Sequence, residues 1–106
     1  MKTIMPNNPL AKLWSDHLDA AFPPDCRARD IDGIDLIMLD ADIAGCVSTF
    51  LERKHSLDPR RIVILEDALQ DVRHIIPHLS PSAAAYYQRL EQLANLLLTS
   101  IDNTKR

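Results

Sequence analysis

Asp40 and Asp42 are the only charged residues in the sixteen positions 36–51, a stretch otherwise apolar or small. An aspartate held in such a stretch needs a partner, because a carboxylate stripped of water without one is costly. His17 is in a similar position. Leu10, Leu13, Trp14, His17, Leu18 and Ala21 recur at helical spacing, which sets the imidazole in the middle of an apolar face. Asp40 falls on the same side of its own segment as Leu36, Ile43 and Val47. Two inward polar groups on consecutive helices predict a hydrogen-bonded pair in the core, with Arg61 or Arg89 as the other partners open to Asp40. The structural reading of such a pair is that it fixes the register of two helices. The functional reading makes His17, Asp40 and Asp42 a ligand site, with Arg27 and Arg29 contributed by a neighbouring loop.

Other chemistry is weaker. Cys46 is the one nucleophile near these groups, but no recognisable motif surrounds it, and a buried free thiol is the expectation. Cys26 and Cys46 stand at no metal-ligand spacing. Glu52 with His55, and Asp71 with His74, have the acid-x-x-His spacing found in di-iron bundles. In such bundles the ligands project into the core, whereas Asp67, Asp71, His74 and His78 fall opposite the stripe of Leu65, Leu69, Val72 and Ile76. Neither a metal site nor a cofactor is expected on this ground. With Glu66, the outward group makes an acidic, imidazole-rich face. Glycine is confined to Gly33 and Gly45, too few for a phosphate-cradling loop.

Four amphipathic helices must carry these residues. Asn8 and Pro9 open the first, which Pro23 and Pro24 stop near Phe22. Residues 23–33 form the longest connection, rich in charges of both signs. The second helix is expected over about residues 34–54, with Leu36, Leu39, Ile43, Cys46, Val47 and Phe50 facing the core. Ala41, Gly45, Ser48 and Thr49 form a flank of small residues, which would let another helix approach closely. A short strand over 34–39 is the rival, set aside because the helical period runs on past it. Asp58 with Pro59 and Ser80 with Pro81 are caps followed by first turns. The third helix carries Ile62, Leu65, Leu69, Val72 and Ile76. The fourth carries Tyr86, Tyr87, Leu90, Leu93, Ala94, Leu97, Leu98 and Ile101. The predicted fold is all-α, a small four-helix up-and-down bundle with the second helix central. It forms one domain over 1–106, ordered at about 8–101, with flexible termini.

The chain has 106 residues, 46% hydrophobic and 25% charged, which suits a single globular domain. A net charge of −3 argues against a nucleic-acid surface; the short group Arg53, Lys54, His55, Arg60 and Arg61 is interrupted by Asp58. No apolar run approaches the roughly 20 residues that cross a bilayer, and residues 1–8 lack a signal peptide's apolar core. A cytoplasmic, reducing location follows. Five leucines between Leu90 and Leu98 raise a homodimer through the fourth helix, provided Leu96 is exposed. The preferred function is a non-catalytic helical interaction module of the immunity, inhibitor or regulator type, binding a protein partner. The alternative is a small enzyme or ligand-binding bundle around His17, Asp40 and Asp42. An enclosed pocket reaching those acids would favour the alternative, and a filled core with a surface groove the first.

Overall fold

A computed structural model describes residues 9–53 and 55–104, with side chains as far as Ile101. The expected Asn8 cap, Lys54 and the tail side chains lie outside them. Four helices carry the fold: α1 (Pro9–Asp19), α2 (Leu36–Glu52), α3 (Pro59–Ile75) and α4 (Pro81–Thr104). The all-α bundle read from periodicity is the fold observed. Its core is filled by Leu36, Ile43, Val47, Phe50, Leu65, Val72, Ile75, Tyr87, Leu90, Leu93 and Leu97, each at most 2% exposed.

The sequence dictates the helix boundaries through caps. Asp58 accepts from the Arg61 amide at 3.4 Å, and Pro59 occupies the first turn, where a missing N–H costs nothing. At the other end Pro77 tightens the chain into a 3₁₀ turn, Ile76–His78. The second helix differs from expectation. It begins at Leu36 rather than Ile34, because Asp30–Ile31 (β1) and Ile34–Asp35 (β2) pair as a two-stranded antiparallel hairpin. Asp32 (φ 52°) and Gly33 (φ 83°) both take positive φ, the backbone of a tight two-residue hairpin turn for which Asp-Gly is a favoured sequence. Asp35 then caps α2, its carboxylate accepting from the amides of Ile37 and Met38 at 3.0 and 3.1 Å.

Helix α2 packs against α3 and α4, and its buried residues are the six of the predicted stripe. Helix α4 packs against α1, α2 and α3, and the Tyr87 hydroxyl donates to the Leu36 carbonyl at 2.6 Å, bolting α4 to the start of α2. Three positions depart from the expected stripes. Leu18 is 64% exposed, Ala21 is exposed just beyond the end of α1, and Ile75 takes the fully buried place expected of Ile76. Leu96, whose exposure the dimer reading required, is partly buried and packs on the core. None of the described helices is long and apolar enough to cross a membrane.

Candidate functional site

The two inward polar groups meet. Asp40 Oδ1 lies 3.1 Å from His17 Nε2, with 5% of the His17 side chain and 18% of the Asp40 side chain exposed. A third member comes from α4: the Tyr86 hydroxyl donates to Asp40 Oδ2 at 2.7 Å. The carboxylate is thus clamped between an imidazole and a phenol, each using a different oxygen. Neither cationic alternative is its partner, since Arg61 pairs with Asp58 at 2.7 Å and Arg89 makes no hydrogen bond to it. His17 Nδ1 is buried without a hydrogen-bond partner. Nε2 is thus the ring nitrogen that engages Asp40.

Aromatic packing seals this cluster. The Trp14 ring stacks on His17 at 5.9 Å, and Phe22 meets Tyr86 edge-on at 5.5 Å. Burial, reinforced by the adjacent Asp40 carboxylate, pushes the Tyr86 phenol well above its ordinary value. The hydroxyl therefore stays protonated and remains a donor. Burial likewise raises the Cys46 thiol, whose Sγ faces the Arg61 carbonyl at 3.6 Å. A protonated, enclosed thiol without an imidazole beside it is not an activated nucleophile. A hollow of about 250 Å³ lies beside Tyr86, bounded by Phe22, Pro23, Pro24, Ser82 and Arg89. It opens to solvent, and the hydroxyl of Tyr86, one of its lining residues, is already engaged by Asp40.

Asp42 is separate from this cluster. It points outward into a groove between α2 and α3, where two shallow hollows of about 180 and 200 Å³ share it as a common wall. One hollow runs from Gly33 and Asp35 past Met38 to Asp71, and the other passes Ala41, Gly45 and Thr49 to Arg61 and Ile64. Three of the four predicted small-residue flank positions, Ala41, Gly45 and Thr49, line this groove, across from Arg61 and Ile64 of α3. A Cβ built on Gly45 meets nothing within 4 Å, so the fold itself does not require glycine there. Met38 is 55% exposed and Ile64 37%. Desolvation and the neighbouring Asp71 charge both raise the Asp42 pKa.

The arginine loop joins neither feature. Arg29 donates to the His78 carbonyl at 3.4 Å, while Arg27 is exposed and has no described contact with His17, Asp40 or Asp42. With Ser80 Oγ donating to Asp25 at 3.1 Å, the long connection is stapled to the corner between α3 and α4. His17 and Asp40 are brought together as read from the sequence; Asp42, Arg27 and Arg29 are not. Tyr86 was the partner the sequence left unassigned, because its meeting with Asp40 across 46 residues depends on how α4 packs. Among the described residues Glu52 and His55 belong to no three-membered group of ligand side chains, and His55 meets Phe50 edge-on. One group of described residues has metal-ligand chemistry: Asp32, His74 and His78. No protein-family model matches this chain, nor does any curated protein or solved structure.

Proposed function

We propose that this protein is a non-catalytic interaction module whose α2–α3 groove receives an amphipathic helix of a partner protein. The observation that carries this reading is Gly45: a helical glycine whose missing side chain leaves open space on the surface instead of serving internal packing. Glycine weakens a helix interior by about 1 kcal/mol relative to alanine. Close approach by a helix from outside gives that loss a purpose. From Asp35 to Thr49 the groove spans about 20 Å, the length of roughly fourteen helical residues. Exposed Met38 and Ile64 offer apolar anchors, and Asp42 with Asp71 supplies negative charge. The fitting partner carries small or apolar residues opposite Gly45 and a lysine or arginine opposite the two acids. Charge complementarity of this kind sets register and speeds association. The same reading puts the protein in a reducing cytoplasm, where the two unpaired, buried cysteines are stable.

The experiment is affinity capture from native cell extract, with wild type compared against Gly45→Arg, Asp42→Lys and, as a control outside the groove lining, exposed Gln88→Glu on α4. A stoichiometric partner held by wild type and the control, and lost by both groove variants, is the expected outcome. Absence of such a partner, or capture indifferent to Gly45 and Asp42, overturns the reading.

A second reading, a ligand site around His17 and Asp40, has one observation in its favour: the hollow beside Tyr86, where Arg89 Nη1 is buried without a hydrogen-bond partner. Asp40→Asn separates the two. If the cluster is structural, chemical denaturation shows a loss of about 1–3 kcal/mol while partner capture persists. Unchanged stability with loss of a small molecule that co-purifies with wild type favours the ligand site.

A further inference from the structure

Three side chains with metal-ligand chemistry, none of them in the inward cluster, converge at an exposed corner. Asp32, His74 and His78 each present a ligand atom, and these atoms all lie within 4.8 Å of one another. Asp32 is held at the hairpin turn by positive φ at itself and at Gly33, and the hairpin closes through the Leu36 amide to the Arg29 carbonyl at 3.1 Å. His74 stands in the last turn of α3, and His78 ends the 3₁₀ turn that follows. Their four-residue separation sets both imidazoles on one side, with ring centroids 5.8 Å apart. Two contacts bring the hairpin to them: Asp32 Oδ2 with His74 Nε2 at 2.7 Å, and the Arg29 guanidinium to the His78 carbonyl.

We propose that Asp32, His74 and His78 form a binding site for a divalent first-row transition-metal cation of the Zn²⁺ type. Two imidazole nitrogens and one carboxylate oxygen are donors that suit Zn²⁺, Co²⁺ or Ni²⁺, whereas Ca²⁺ and Mg²⁺ take oxygen ligands. Ligands about 2.0–2.2 Å from a tetrahedral metal lie roughly 3.3–3.5 Å from each other. Closing the present spacing to that value takes rotation of exposed side chains and no movement of the core. The bound cation replaces the Asp32–His74 hydrogen bond, clips the hairpin to the end of α3, and keeps a coordination position for water or a ligand from another molecule. Helical spacing directed attention to an acid on the same helix, Asp71. The acid that meets His74 instead comes from a turn 42 residues away.

His78 separates a metal site from a plain ion pair, because an Asp32–His74 pair makes no use of it. The test is isothermal titration of the metal-free full chain with ZnCl₂, accompanied by Co²⁺ absorption and thermal melting with and without Zn²⁺. One Zn²⁺ per chain, a melting temperature raised by Zn²⁺ and tetrahedral Co²⁺ bands are expected, all lost in His78→Ala and in Asp32→Asn and all kept in His55→Ala. Circular dichroism verifies that the variants fold, and His78→Gln repeats the test with a bulkier side chain. Failure to saturate at one ion per chain, binding that survives His78→Ala, or equal binding of Ca²⁺ overturns the proposal.

Discussion

At the scale of single residues, two aspartates two positions apart have opposite fates. Two positions are roughly 200° around a helix, a little over half a turn, and that decides it: Asp40 faces the bundle and is satisfied by His17 and Tyr86, while Asp42 faces the groove beside Asp71. The inward aim of His17 and Asp40 was legible because period alone gives direction. Tyr86 was not, because period gives no depth and does not say which helix lies across the core. Asp42 yields a pH prediction whose sign follows from its raised pKa. A carboxyl with a folded-state pKa above its unfolded one destabilises the fold when ionised. That penalty is complete above the folded pKa and vanishes below the unfolded one, near 3.9. Asp42→Asn is therefore expected to stabilise the protein at pH 7 by about 0.5 kcal/mol or less, given its exposure. The gain should disappear by about pH 3 in urea titrations run across that range.

At the scale of elements, the helices were readable from caps and stripes because each uses local chemistry. Asp58 with Pro59 and Ser80 with Pro81 start helices where expected, and all six predicted core residues of α2 are buried. The hairpin before α2 was missed, although the Asp32-Gly33 dipeptide is a recognised signal for one. With only two residues in each strand, it leaves too little alternation for a period-two pattern to register. The metal-ligand corner went unread for the same reason, since it needs the hairpin to carry Asp32 to His74. The groove can be tested through α2 itself. Gly45→Ala adds a Cβ that meets nothing within 4 Å, so thermal unfolding should show a gain of about 0.5–1 kcal/mol. A loss of stability would mean that glycine serves the fold, and the main argument for an external helix would fall.

At the scale of the whole molecule, composition and helical period were enough to give a bundle, but not which helix touches which. Helix α1 packs on α4 rather than chiefly on its sequence neighbour α2, because a hairpin and a stapled connection lie between them. The core depends accordingly on α4, where Leu90, Leu93, Ala94 and Leu97 are fully enclosed. Leu93→Ala should cost about 2–5 kcal/mol in chemical denaturation, much of the stability expected of a domain this size. A cost below about 1 kcal/mol would show a looser interior than the one described.

The contact of α4 with every other helix also has a consequence for biosynthesis. Of the four helices it is the last to leave the ribosome, so the three made earlier emerge without the surface that should cover them. Until α4 has cleared the exit tunnel, the faces of α1, α2 and α3 that pack on it lack their cover, and the bundle closes only then.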